Sequence, residues 1–212
     1  MPNAVPAPTP PKVRFTEGLR IVWQIRLLRL VVLAEVVAYS VVGWAMVSDA
    51  PLAKIFDVGA IGFAALISCW GVGMLIGSWG IGRWLGERRI EGKIMLIGML
   101  VDGVTIAFMG FSPWFVPILV VSVIGGAASG FVNVSRQTLL QRAVPDHLRS
   151  RVFAVAEVTA TISFTLGLAI AGPAIELIGV RPSYILSGVV FALGALMLIP
   201  VVRRPTIQSP SP

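Results

Sequence analysis

Three carboxylates stand inside long apolar runs of the chain. Glu35 lies within "LLRLVVLAEVVAYSVV", Asp102 within "IMLIGMLVDGVTIAFMGF", and Glu157 within "VFAVAEVTATISFTLGLAIAG". An ionised group in an apolar environment is costly, so such a carboxylate either pairs with a neighbouring helix or binds a proton or a cation as part of a function. These three side chains are therefore the first candidates for chemistry in the chain.

Polar side chains also recur at helical spacing further along. Ser122, Ser129 and Asn133 are 7 and 4 residues apart, which places them on one face of a helix. That face could line a polar cavity, or it could hydrogen-bond to another helix at about 1 kcal/mol or less per contact. Both interpretations stay open from the sequence.

The residues that an enzyme needs do not occur in a recognisable arrangement. His147, the only histidine, has no Ser, Cys or metal-ligand partner at a known spacing, and no phosphate-binding loop follows a strand pattern. Cys69, the only cysteine, stands in an apolar stretch and is interpreted as a packed apolar side chain. We predict that the protein is not an enzyme and that it uses no metal and no cofactor.

The composition indicates a protein whose solvent is a lipid bilayer. Of 212 residues, 56% are hydrophobic and only 13% are charged, with a mean hydropathy of +0.88. A soluble domain carries about 25% charged residues. The net charge of +7 does not indicate nucleic-acid binding, because the basic residues fall between apolar runs and are not interleaved with aromatic residues.

Six apolar runs are long enough to cross the membrane, which requires about 20 residues each. The predicted fold class is an all-α integral membrane protein whose domain covers residues 14–202. A proline-rich segment, 1–13, and a polar tail, 203–212, are predicted to be disordered. The six predicted spans are 27–47, 58–80, 94–111, 114–134, 152–170 and 183–202.

The basic residues alternate with these spans. Fifteen of the 17 lysines and arginines fall before the first span, in every second loop, or after the last span, and the other side receives only Lys54 and Arg181. By the positive-inside rule, both termini and the basic loops are predicted to be cytoplasmic. The stretch from Arg136 to Val152 is then interpreted as a cytoplasmic loop whose charges orient its flanking helices.

The order of residues in that stretch resembles a known family. "LLQRAVPDHLRSRVFAV" is similar to the loop between helices ten and eleven of major facilitator superfamily transporters, and to the enterobactin-exporter and macrolide-efflux branch in particular. Ser150 stands where that branch usually has glycine. "GSWGIGRWLGERR" is similar to the loop between helices eight and nine, with Gly86 or Glu87 near the place of the usual aspartate. "FTEGLRIVWQIRLLRL" resembles the segment that leads into helix seven.

The resemblance implies the C-terminal half of a twelve-helix transporter in a bacterial cytoplasmic membrane. It implies proton-coupled efflux of a small organic molecule, a drug or a siderophore, by rocking of two halves. The second half would be a homodimer mate or a separate N-terminal half. The residues matched to cytoplasmic gating loops are Gly82, Arg83, Arg88, Arg89, Gln141, Pro145, Arg149 and Arg151.

The resemblance also ranks the polar residues. Glu35 is the preferred proton-coupling candidate because the matching helix borders the central cavity, where the face of Ser122, Ser129 and Asn133 could join it. Asp102 is a second candidate on a helix that is peripheral in the family, so structural pairing is favoured there. Glu157 is expected to form a salt bridge with Arg149, Arg151 or Arg83.

Glycines at four-residue spacing favour close helix packing. The alternative function is a membrane protein without transport activity, either a remnant or a scaffold that binds a partner through the faces of Gly73, Gly77 and Gly167. The predicted helix-packing positions are Gly73, Gly77, Gly126, Gly130 and Gly167.

Overall fold

The computed structural model describes residues 15–82 and 90–203, and this part of the chain forms helices joined by short connections. The predicted all-α fold is confirmed, and six of the segments are long and apolar enough to span a membrane. The spans are α2 to α6 and the combined segment of α7 and α8. The helices are α1 (Phe15–Gln24), α2 (Arg26–Ile55), α3 (Gly59–Gly82), α4 (Glu91–Phe111), α5 (Phe115–Ala143), α6 (Asp146–Ile178), α7 (Val180–Leu196) and α8 (Ile199–Arg203).

The outer surface of the bundle is apolar. Ile61, Leu75 and Leu177 are exposed by 85%, 73% and 84% of their surface. Patches of this kind are unfavourable in water, but lipid tails solvate them without cost. Exposed apolar side chains of this kind are those expected of a surface that faces lipid.

The helices extend beyond the predicted apolar windows at most ends. A window detects only the part of a helix that crosses the hydrocarbon, whereas backbone hydrogen bonding continues through polar turns. The interpretation of 136–152 as a loop is wrong for this reason, because α5 runs to Ala143 and α6 begins at Asp146. Pro145 makes the break: it restricts Val144 to extended backbone, with φ −124° and ψ 129°, and so ends α5.

The turn between α6 and α7 is made by one residue. Gly179 has φ +84°, a left-handed conformation that only glycine adopts without strain. Its amide donates to the carbonyl of Ile175, which closes the end of α6. The chain can thus reverse direction within one residue and pack α7 against α4 and α2.

Four pairs of helices pack most closely: α3 with α5, α4 with α7, α2 with α6, and α4 with α5. A β-carbon added at Gly73 or Gly77 would overlap the backbone of α5, and one added at Gly126 or Gly130 would overlap the backbone of α3. Gly167 of α6 lies equally close to the backbone of α2. These faces are occupied within the chain, so they give no support to the alternative of a scaffold that offers them to a partner.

The end of the bundle that carries Glu91, Arg142 and Arg149, here called the basic end, is held by ion pairs. Arg142 of α5 pairs with Glu91 at the start of α4, and Arg151 of α6 pairs with Glu17 of α1 at 2.8 Å. Gly18 lies against the carbonyl of Arg151. The short helix α1 is thereby fixed to α6 at this end. The predicted disordered lead-in, 1–13, and residues 204–212 lie outside the described residues.

Candidate functional site

A buried arginine joins three helices in the interior of the bundle. The Nε atom of Arg136 on α5 lies 2.5 Å from Oε1 of Glu35 on α2, and its Nη2 lies 2.9 Å from Oε1 of Glu157 on α6. The side chains of Arg136 and Glu35 are 4% and 3% exposed, whereas Glu157 is 62% exposed. One guanidinium thus pairs a buried carboxylate with an accessible one, and we call these three residues the charge network.

Helical spacing explains how these side chains meet. Tyr39 stands one turn after Glu35 on α2, and its ring lies 5.9 Å from the guanidinium carbon of Arg136. A cation over an aromatic ring is stabilised by the quadrupole of the ring. Arg136 itself stands 7 residues after Ser129, on the same face of α5 as the predicted polar residues.

The sequence interpretation of Arg136 as a loop cation is wrong, because the structure buries it within α5. The predicted partners of Glu157 are also wrong where the structure describes them. Arg149 pairs with Asp146, and Arg151 pairs with Glu17, while Arg83 lies outside the described residues. The spacing of Arg136 from Ser129 was the signal that could have indicated a buried position.

The charge network is not fully satisfied. Oε2 of Glu35 is buried and has no hydrogen-bond partner among residues 15–82 and 90–203. The hydroxyl of Ser135, next to Arg136, is also buried without one. A buried carboxylate oxygen without a donor is costly, so this side of Glu35 is available for a proton or a water molecule.

A separate cavity of about 290 Å³ lies among α2, α3, α4 and α5, with one residue each from α6 and α7. Asp102 of α4 lines it and accepts a hydrogen bond from Ser129 of α5, with 2.5 Å between Oγ and Oδ2. The hydroxyl of Thr105 donates to the carbonyl of Asp102 at 2.7 Å. Ser122 also lines the cavity, and its hydroxyl donates to the carbonyl of Ile118 in its own helix.

The structure therefore brings Ser122 and Ser129 to Asp102 rather than to Glu35. Asn133 is half-buried and does not line this cavity. The residues of α5 divide between two sites, because Ser129 faces Asp102 while Arg136, two turns further on, faces Glu35.

A second carboxylate reaches the same cavity from α2. Asp49 accepts a hydrogen bond from the hydroxyl of Tyr184 on α7, and both residues line the cavity. Nearby, the indole of Trp44 donates to the hydroxyl of Ser183 at 2.5 Å. Sequence reasoning missed Asp49 because the apolar window of the first span ends before it, whereas α2 continues to Ile55.

The predicted gating residues that the structure describes lie at the basic end. Gly82 is the last residue of α3, and Arg83, Arg88 and Arg89 lie outside the described residues. Pro145 precedes α6 and its carbonyl accepts from the amide of Leu148. Their role as gates stays a prediction.

Arg149 closes the end of α5 from the neighbouring helix. Its Nε donates to the carbonyl of Gln141 at 3.0 Å and to the carbonyl of Val144 at 3.3 Å. Carbonyls at a helix end have no partner within the helix, so a cation there is favourable.

The hydrogen bond between Ser129 and Asp102 gives a direct test of this geometry. We expect Ser129→Ala to reduce the free energy of unfolding by about 1–3 kcal/mol, because it removes the donor to a buried carboxylate oxygen. Ser122→Ala is the matched control on the same face of α5, and its loss is expected to be under about 1 kcal/mol, since that hydroxyl bonds only within its own helix. Thermal unfolding in detergent micelles compares them, and equal losses would contradict the assignment.

Six helices long and apolar enough to span a membrane, with paired charges and a cavity in their interior, define an integral membrane protein. The chain belongs to the Major Facilitator Superfamily, whose family model matches residues 5–212. The six-helix bundle is accordingly half of a fold of that superfamily, embedded in a lipid bilayer, with a small molecule as the transported substrate. Comparisons with curated proteins and with solved structures gave no match.

Proposed function

We propose that the chain is part of a proton-coupled exporter of a small organic molecule, of the enterobactin-exporter and macrolide-efflux type, and that the charge network couples protons to transport. The observation that carries the proposal is the shared guanidinium of Arg136, which contacts a buried carboxylate at 2.5 Å and an accessible one at 2.9 Å. The motif similarity between Leu140 and Val152 supports the branch.

The network can act as a switch because Arg136 has two partners on different helices. When a proton neutralises Glu35, the ion pair to α2 is lost and the attraction to Glu157 on α6 remains. The packing of α2 against α6 would then differ between the protonated and the ionised state of Glu35. Such a two-state element is what a rocking transporter requires.

The exposure of Glu157 is an argument for a second six-helix unit beside this one. Glu157 is 62% exposed within a membrane-spanning helix, and Thr161 and Thr165 follow it on the same face of α6. A charge facing lipid is unfavourable, so this face is better placed against a water-filled cavity. We propose that a second copy or a separate N-terminal half closes that cavity, with the basic end of both units in the cytoplasm.

Substitution of Glu35 tests the coupling. We expect Glu35→Gln to reduce the rate of export driven by an imposed proton gradient at least tenfold. Glutamine keeps the shape of the side chain but cannot exchange a proton. Erythromycin, enterobactin and the small organic cation phenyltrimethylammonium serve as probes in everted vesicles from cells that lack their own exporters. Glu17→Gln, which alters an exposed ion pair, is the matched control and is expected to change export less than twofold.

If Glu35→Gln leaves gradient-driven export unchanged, the coupling role is wrong. Native mass spectrometry of the chain in nanodiscs tests the second unit. A dimer, or a complex with a second six-helix protein, supports the proposal. A stable monomer that still exports a probe after reconstitution would contradict it.

A further inference from the structure

We propose that the cavity beside Asp102 and Asp49 binds a small hydrophobic organic cation, such as an aromatic quaternary ammonium. The proposal rests on the proposed function only in treating this ligand as the transported substrate, and it names the substrate class that the motifs leave open. The binding itself follows from the cavity.

The walls of the cavity are suited to an apolar, aromatic body. The indole of Trp70 and the ring of Phe164 line it, and aromatic faces attract cations within about 6 Å of the ring centre. Met46 and Met109 add flexible, polarisable side chains that adapt to a ligand. The remaining apolar lining consists of Val42, Ala45, Leu66, Ile67, Ile106 and Val121.

The two carboxylates of the cavity have no cationic partner within the part of the chain that the structure describes. Asp102 is only 4% exposed. Among residues 15–82 and 90–203, its only side-chain partner is the neutral hydroxyl of Ser129. Asp49 likewise receives only the hydroxyl of Tyr184. In each carboxylate, one oxygen therefore has no donor in that part of the chain.

This arrangement differs from that of the buried carboxylates Glu35 and Glu91. Glu35 pairs with Arg136, and Glu91 pairs with Arg142. Removing a carboxylate from water without a counter-ion is costly, whereas a bound cation restores both the charge balance and the missing contacts. The cavity thus favours a positive ligand beside carboxylates that have no cationic partner among residues 15–82 and 90–203.

The same features argue against the other substrate classes. An anionic ligand such as a catecholate siderophore would meet two carboxylates in a low-dielectric site, where like charges repel strongly. A neutral ligand would leave the carboxylate oxygens without partners. The volume of about 290 Å³ is at the lower end of the range of small-molecule pockets, about 300–1,000 Å³, and favours a compact ligand.

Phenyltrimethylammonium and tert-butylbenzene make the test, because they have the same shape and differ in one positive charge. Binding to the full chain in nanodiscs is measured by equilibrium dialysis, with empty nanodiscs subtracted. We expect saturable binding of phenyltrimethylammonium to the wild-type chain, at least tenfold tighter than that of tert-butylbenzene. This comparison uses only the wild-type protein, so it does not depend on the folding of a variant.

Asp102→Asn supplies the second arm. It is expected to weaken phenyltrimethylammonium binding at least tenfold and to leave the binding of tert-butylbenzene within twofold. Glu17→Gln, at the basic end and remote from the cavity residues, should bind both ligands as the wild type does.

The proposal is overturned if phenyltrimethylammonium does not saturate, if the neutral ligand binds as tightly, or if Asp102→Asn binds the cation unchanged. Binding is measured without a proton gradient, and the cavity is formed within one copy of the chain. Intact binding with no coupled export therefore contradicts only the proposed function, and coupled export of a probe without cation binding contradicts only this inference.

Discussion

Arg136→Ala is expected to reduce the free energy of unfolding by about 3–5 kcal/mol. The change leaves Glu35 buried at 3% exposure with no cation, since its ion pair at 2.5 Å is removed. It also releases Glu157 of α6 from α5. The midpoint of thermal unfolding in detergent, followed by size-exclusion chromatography, measures the effect.

A double substitution separates the unpaired charge from general damage. In Arg136→Ala combined with Glu35→Gln, the buried charge is gone, so we expect recovery of more than half of the loss. Arg151→Ala is the control, because its pair with the half-exposed Glu17 is accessible to water and is worth about 1 kcal/mol or less. If Arg136→Ala and Arg151→Ala destabilise equally, the burial of the network is wrong.

Gly73→Leu is expected to disrupt the contact between α3 and α5. A β-carbon at Gly73 would overlap the carbonyl of Val123 and approach the backbone amide of Ala127, and neither backbone atom can move aside without separating the helices. Overpacking typically costs about 1–3 kcal/mol, and we expect the upper end of that range because the obstacle is backbone. The measured outcome is loss of the monodisperse folded peak on mild heating.

Gly71 provides a control two residues away on the same helix. A β-carbon there meets nothing within 4 Å, so Gly71→Leu adds the same side chain to the same helix without a clash. We expect its stability to stay within about 0.5 kcal/mol of the wild type. Equal damage from both substitutions would show that leucine is harmful anywhere on α3 and would contradict the packing argument.

The helices α2 and α5 each carry residues of both the charge network and the cavity. Glu35 and Asp49 both stand on α2, and Arg136 and Ser129 both stand on α5, two turns or about 10 Å apart. A shift of α5 caused by a change of partner at Arg136 would therefore reach the hydroxyl that contacts Asp102. If both proposals hold, this connection is a route by which protonation of Glu35 would alter cation binding beside Asp102.

The fold class followed from the sequence because the bilayer imposes a simple rule. An apolar run of about 20 residues has the length of a spanning helix, and a helix is the structure that satisfies its backbone hydrogen bonds within one segment in lipid. Family membership followed from the order of residues around Pro145. Glu35 and Asp102 could be chosen as candidates because a carboxylate in an apolar run is conspicuous in any sequence.

What each candidate contacts was decided only by the tertiary structure. The sequence grouped Ser129 with Glu35, but the packing of α4 on α5 brings the hydroxyl of Ser129 into a hydrogen bond with Asp102. The sequence placed Arg136 among the cations of a loop. The end of an apolar run shows where the hydrocarbon ends, but α5 continues beyond that point and buries Arg136. Partners in a membrane bundle come from different helices, and small residues such as Gly126 and Gly167 set how closely and at which register those helices meet. That register is a property of the packed backbone, so the sequence supplied the polar groups and the tertiary structure alone decided which of them form a site.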